Sequence, residues 1–351
     1  MSSVPIAKIH LRAIQHNLDL ARSQAPSSHL LAMVKGNAYG HGVLELAPRL
    51  QGVDAFGVAR VDEGQRLRAL GVKQPIVVLH GFNDRQELEA CRKDALTPTL
   101  HSPHQVDLLS MHQGQDLPVW LKLDTGMHRL GLSPADFKAI IARRVCNVTC
   151  IMSHLANSDQ LGHPLNAAQL ALFEALTKDL GIPRSLANSG AILTWPSSHF
   201  EWIRPGIMLY GCSPFGDDAT SGLQPAMTLT APVLAVHRVA AGDAIGYGGI
   251  WRAQKNTRIA VLGIGYADGY PREVPAQMPV WIAGQRRPIV GRVSMDTLMV
   301  DIDDLEVAPN ERAEMWGRSL PVEELAVLMG TIGYTLLSRL TPRVHRELSD
   351  E

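Results

Sequence analysis

From Leu30 to about Gly211, short apolar runs recur along the chain, each followed by a polar-apolar stretch with helical spacing. The runs are Leu30–Val34, Ala55–Ala59, Ile76–Leu79, Leu96–Leu100, Val119–Leu123, Val148–Met152, Ser185–Ala187 and Trp202–Arg204. Helical patterns fill the gaps at Asp62–Leu70, Arg85–Cys91, Pro103–Met111, Pro134–Arg143 and Asn166–Leu180. Eight strand signals alternating with helices predict an α/β fold, a (β/α)8 barrel. A doubly wound open sheet is the competing arrangement, and the count of eight favours the barrel.

After Gly222 the pattern changes. Thr228–Val239, Thr257–Gly263, Pro279–Ala283, Pro288–Val293, Thr297–Ile302 and Ala313–Trp316 are β-like runs separated by Gly, Pro and Asp turns. They predict a mostly-β C-terminal domain over residues 223–351, behind a barrel over residues 9–222. Pro321–Leu340 reads as helical, interrupted near Gly330–Gly333. A chain of 351 residues is long enough for two such domains.

Composition narrows the function classes. The chain is 46% hydrophobic and 19% charged, with a net charge of −1. That balance builds no field for nucleic acid or an anionic membrane. No apolar run approaches the roughly 18 residues of a membrane span. Met1–Lys8 lacks the charged and apolar segments of a secretory signal, so a cytoplasmic location is expected. Cys146 and Cys150 have loose metal-like spacing, but no second pair stands where a zinc site needs one. With Cys91 and Cys212 they read as free, mostly buried thiols, and no metal is expected.

Unusual polar residues cluster where the predicted strands end. Lys35 and Tyr39 follow the first strand; Lys122, Asp124 and Arg129 lie on and after the fifth. His154 follows the sixth, Asn188 and Ser189 the seventh, and Arg204 ends the eighth. In a barrel these positions converge on the C-terminal mouth, where barrel enzymes place their chemistry. A lysine there loses hydration, its pKa falls, and its amine becomes a nucleophile able to form a Schiff base with a carbonyl. The same spacing also fits a lysine snorkelling beside a Gly-rich turn. Likewise, a lone histidine after a strand is ordinarily a hydrogen-bonded loop residue.

The stretch Ala32-Met33-Val34-Lys35-Gly36-Asn37-Ala38-Tyr39-Gly40-His41-Gly42 resembles the lysine motif of the pyridoxal-phosphate (PLP) alanine racemases, A-V-V-K-A-N-A-Y-G-H-G. Met33 and Gly36 replace a valine and an alanine of that pattern. Leu121-Lys122-Leu123-Asp124-Thr125-Gly126-Met127-His128-Arg129-Leu130-Gly131 is nearly unbroken family sequence. The resemblance implies that Lys35 carries PLP and acts as one of two catalytic bases. Tyr247, in Gly246-Tyr247-Gly248-Gly249, resembles the second base, supplied to the site of the other subunit of a homodimer. The phosphate would be held by Tyr39, Ser189, the Gly206 and Ile207 backbones, and Tyr334. His154 and Arg204 resemble residues hydrogen-bonded in a chain with Tyr247, and Arg204 would face the pyridine nitrogen. Arg129 would bind the substrate carboxylate, oriented by Lys122, which is N6-carboxylated in many relatives. An unmodified Lys122 paired with Asp124 is the alternative.

Gly291-Arg292-Val293-Ser294-Met295-Asp296 matches a loop whose Met295 backbone helps bind the substrate carboxylate, with Asp296 in support. Ser294 stands where some relatives have cysteine. Tyr266, Arg272 and Arg292 resemble the lining of a narrow access channel. Thr335 stands where the family commonly has glutamate, a departure that touches packing rather than chemistry. The family also implies that Ile6–Ile9, within residues 1–8 and their neighbour, is a strand of the C-terminal domain, with Arg12–Ser23 a helix entering the barrel.

The implied activity is interconversion of L- and D-alanine, supplying or consuming D-alanine for peptidoglycan. A broad-specificity amino-acid racemase or a fold-related PLP decarboxylase is the alternative within this fold. A decarboxylase needs no second base, so Tyr247 argues against it. A non-catalytic PLP-binding protein would lack the C-terminal β domain.

Overall fold

The computed structural model describes residues 3–112, 116–216 and 222–351. The chain divides into two compact units. One comprises Asn17–Ala38 and Val43–Leu209; the other comprises the chain up to His16, Tyr39–Gly42 and Tyr210–Glu351.

After an N-terminal strand, β1 (Ile6–His10), eight strands build the first unit. They are β2 (His29–Met33), β3 (Ala55–Val58), β4 (Ile76–Val78), β5 (Leu96–Leu100), β6 (Pro118–Lys122), β7 (Asn147–Met152), β8 (Arg184–Asn188) and β9 (Trp202–Arg204). Each pairs in parallel with the next, and β9 pairs with β2, so the sheet is a closed barrel. Every residue of β3 and β4 is buried, as strands covered on both faces must be.

The intervening helices start where the sequence supplies a cap. The side chains of Asp84, Ser102 and Ser133 accept hydrogen bonds from the amides of Glu87, Gln105 and Asp136, three residues on. Pro103, Pro134 and Pro164 occupy first-turn positions, where a missing N–H costs nothing. Each helix buries one face, with Leu67, Leu88, Val106, Phe137 and Phe173 at its centre.

The second unit is built from β1 with β10 (Met227–Val239), β11 (Ala244–Ile245), β12 (Trp251–Arg252), β13 (Thr257–Leu262), β14 (Pro279–Ile282), β15 (Gln285–Val290), β16 (Leu298–Asp301), β17 (Arg312–Trp316) and β18 (His345–Ser349). Its main sheet runs β13-β16-β15-β14-β17-β10-β1-β18, and β13 also pairs with β10. Six of the strands therefore form a ring through the long β10. Beside it, β1 lies antiparallel to β10 (Ile6 opposite Thr230) and parallel to β18 (Ile6 opposite His345).

Two strand features escape the periodicity. β18 is the polar run His-Arg-Glu-Leu-Ser at the sheet edge, and its pairing with β1 rather than any apolar alternation makes it a strand. β11 and β12 are two-residue strands of a hairpin that carries Tyr247 in its turn. Among the described residues no helix is long and apolar enough to cross a membrane. The four cysteines are free, with Cys91, Cys150 and Cys212 buried.

Phe56 of β3 is fully buried. Phe56→Ala is expected to cost about 3–5 kcal/mol, read as a lower urea midpoint with an unchanged slope.

Candidate active site

Lys35 stands two residues beyond the end of β2. There the backbone leaves the strand in an unusual way. Gly36, Asn37, Ala38 and Tyr39 all have positive φ, at 62°, 56°, 54° and 51°. This is a left-handed turn, closed by the Ala38 N–H on the Val34 carbonyl at 2.8 Å. For three non-glycine residues it costs roughly 1–2 kcal/mol each. The offsetting contacts come from side chains. Asn37 Oδ1 accepts the Val43 N–H at 2.9 Å, and Glu63 Oε1 accepts the Gly36 N–H at 2.8 Å.

The barrel gathers cations around Lys35. Arg204 ends β9 and is 3% exposed, and Lys122 ends β6 and is 7% exposed. Arg204 is satisfied by backbone and hydroxyl groups: Nη1 donates to Ser185 Oγ at 2.6 Å, and Nη2 to the Ser153 and Leu186 carbonyls at 2.7 and 3.0 Å. Nη2 also meets His154 Nδ1 at 3.3 Å. A guanidinium only donates, so Nδ1 accepts and the ring proton is assigned to Nε2. Burial, then Arg204, Lys122, Arg129 and Lys35, hold the His154 pKa well below its ordinary value. Burial and Arg129 lower that of Lys35, with Arg204 adding to the effect and Glu63 opposing it. Burial, Arg204, Arg129 and Lys35 push Lys122 down to about 8.

The nearby carboxylates are committed elsewhere. Asp124 Oδ1 accepts the amides of Gly126, Met127 and His128 at 2.9, 3.1 and 3.1 Å, and Oδ2 meets His128 Nδ1 at 3.0 Å. Asp124 thus builds its own loop through these bonds, and its charge also raises the Lys122 pKa against the surrounding cations. Ser189 is 4% exposed and follows β8. Its Oγ accepts the Gly206 N–H at 2.9 Å and the Met208 N–H at 3.3 Å, which leaves its own hydrogen to donate. Ile207 is fully buried beside them in the chain.

The remaining candidates lie in the second unit. The rings of Tyr39 and Tyr334 are 6.0 Å apart, with Tyr210 at 5.0 Å from Tyr39. Tyr247 is 72% exposed at the tip of the β11–β12 hairpin. A Cβ at Gly248 would lie 3.3 Å from Arg292 Nη1, which places Arg292 against that tip. Tyr266, Arg272, Met295 and Asp296 are also exposed. Arg343 bridges Asp296 at 2.7 Å and the buried Asp268 at 3.2 Å, fastening the Met295 loop. That loop docks through the Ala267 N–H on the Met295 carbonyl at 3.0 Å. It comes so close to Gly265 that a Cβ there would sit 2.3 Å from the Met295 oxygen.

Comparison with known proteins decides the family. A family model described as the alanine racemase N-terminal domain matches residues 9–214, and one described as its C-terminal domain matches residues 226–348. The chain belongs to the alanine racemase family. An alanine racemase of Shewanella woodyi is 45% identical over 98% of this chain and 99% of its own length. The biosynthetic alanine racemase of Pseudomonas aeruginosa superposes with a TM-score of 0.93, at 42% identity, covering 99% of this chain and all of that one. The alanine racemase of Bartonella henselae, solved with covalently bound pyridoxal phosphate, superposes with a TM-score of 0.92 at 32% identity, covering 99% of this chain and 100% of that one.

Within this family frame the structure adds residues that the sequence motifs do not flag. Glu63 and Arg343 anchor the Lys35 and Met295 loops. His80, just past β4, has its pKa lowered by burial and by Lys35, which puts it within electrostatic reach of the mouth. The His101 ring meets the His80 carbonyl at 3.0 Å. Only a glutamate at the third position of a helix hints at Glu63, and no Ser or Thr at position 60 completes that signal.

Gly265→Ala is expected to cost about 1–3 kcal/mol and to speed amide exchange at Tyr266 and Ala267. The His154 shift makes the neutral ring the folded form. Its stabilising contribution is complete above about pH 6.5 and lost as pH falls. Wild type should therefore lose more stability on acidification than His154→Asn, in urea titrations at two pH values.

Proposed function

We propose that the chain interconverts L- and D-alanine, with PLP bound through Lys35 and Tyr247 of a second copy acting from the opposite face. The observation that carries this reading is the crowd of cations at the barrel mouth. Lys35, Lys122, Arg129 and Arg204 act on one another there, while Glu63 and Asp124 spend their carboxylates on backbone amides. In such a site cations outnumber anions. A phosphate and an amino-acid carboxylate supply further negative charge, and Ser189 has a hydroxyl hydrogen to offer a phosphate oxygen. The donor set fits PLP.

When bound, PLP supplies the conjugated ring that takes up the electron pair left as the substrate Cα loses its proton. The protein does the rest. Lys35, whose pKa burial and cationic neighbours lower, takes or returns the proton on one face. One base alone would return it to the face it left, so inversion needs Tyr247 on the other. Arg129 holds the substrate carboxylate, helped by the Met295 backbone. Carboxylation of Lys122 would turn a buried cation into an anion facing Arg129. Arg204 remains a donor only. Tyr266, Arg272 and Arg292 narrow the approach so that small amino acids fit. A homodimer follows from this reading, because the exposed Tyr247 is then covered by the partner's barrel mouth.

The test is Cα proton exchange of L- and D-alanine in heavy water. Wild type is expected to exchange both enantiomers. Tyr247→Phe should lose roughly 10²–10⁴-fold from one enantiomer and much less from the other. Equal exchange from both by the variant would show that Tyr247 is not the second base.

A further inference from the structure

Glu63 spends its two carboxylate oxygens on different tasks. It is the third residue of the helix Val61–Ala69, where a glutamate ordinarily reaches back to close the helix start. Oε2 performs that task, accepting the Ala59 and Arg60 amides at 2.7 and 3.2 Å. Oε1 does not serve the helix. It accepts the Gly36 N–H, 27 residues back, at 2.8 Å.

That N–H belongs to the peptide joining Lys35 to Gly36, the first of the left-handed turn. We propose that Glu63 is a positioning residue for Lys35: by clamping this peptide to the next β/α repeat, it fixes the backbone from which Lys35 enters the barrel mouth. The other anchors of the turn, Ala38 on Val34 and Val43 on Asn37, are neutral and local in sequence. The Glu63 bond is charge-assisted and comes from a separate element, and it holds the peptide next to Lys35 where the turn begins, while Arg346 Nε holds the Gly40 carbonyl just past its end at 2.8 Å.

The same carboxylate shapes the charge around the amine. Arg129 and Arg204 act on Lys35 electrostatically, and Lys35 in turn acts on Lys122, His154 and His80. Glu63 is the anion that opposes them. Glu63 therefore sets both where the amine sits and how readily it loses its proton. The first role rests on the reading of Lys35 as the PLP-bearing residue; the second does not.

Two variants separate position from charge. Glu63→Gln keeps an oxygen for the helix start but removes the anion. Glu63→Asp keeps the anion and a good helix start, but falls short of Gly36 by about 1.5 Å, one carbon–carbon bond. The amine is read in the full-length chain without PLP, as the pH midpoint of its ¹³C-dimethyl NMR signal, assigned by loss in Lys35→Arg. Separately, unmethylated protein is titrated with PLP. In Glu63→Gln the midpoint is expected to move down by roughly half a pH unit or more. PLP affinity should fall about ten- to a hundredfold in both variants, with melting temperatures near wild type. A wild-type midpoint in Glu63→Gln, or wild-type PLP affinity in Glu63→Asp, overturns the proposal. If Glu63→Gln does not fold, Glu63→Asp alone decides the positioning role. Should wild type itself bind no PLP, the cofactor reading fails, while the midpoint comparison still decides whether Glu63 governs the amine.

Discussion

Crowding cations at one end of a closed parallel barrel is the arrangement on which the rest of this molecule depends. Lys122 and Arg204 are almost completely buried, and Lys35 sits with them. Removing such groups from water is costly, and their mutual repulsion adds to the cost. The barrel offsets it with oriented dipoles rather than with carboxylates: Ser185, Ser153 and Leu186 all serve Arg204. What remains is a net positive field, which Glu63 opposes at Lys35 and Asp124 at Lys122 without outweighing it. A lysine in that field sheds its proton easily, and an anion entering it is held firmly. Both properties are what a Schiff-base-forming, carboxylate-binding site requires.

The second unit meets a different constraint. It holds exposed side chains in fixed positions on short turns. The β11–β12 hairpin carries Tyr247, and the Met295 loop is pinned by Gly265 on one side and by Arg343 with Asp268 and Asp296 on the other. A ring of six paired strands supports both. Tight turns on a closed β framework give precise placement with little apolar burial of the side chain itself. The proposed homodimer gives these exposed groups their chemical setting.

Much of the barrel is legible in the order of its residues. The eight barrel strands lie within a residue or two of their apolar runs, because strands buried on both faces are mostly apolar. Lys35, Lys122, His154, Ser189 and Arg204 stand out as polar residues at the ends of such runs, and the barrel places them at that end. The sequence also allows Lys122 to pair with Asp124. In the fold three loop amides and a histidine take the hydrogen bonds of that carboxylate, while its charge still acts on Lys122.

Sequence by itself determined which segments are buried, since burial of a strand or helix face is written locally in its periodicity. It also determined the residue types available for chemistry, because the lysine, tyrosine and arginine motifs are contiguous. Tertiary structure decided the sign of φ through Asn37, Ala38 and Tyr39, of which only the asparagine tolerates a left-handed turn readily. It decided that Glu63, an ordinary polar residue on a helix pattern, bonds an amide 27 residues away. It made a strand of the polar run His345–Ser349 by giving it β1 as a partner. The physical reason is common to all three. Backbone strain, long-range hydrogen bonds and edge pairing are set by groups distant in sequence, so no local window of the chain contains the energy that selects them.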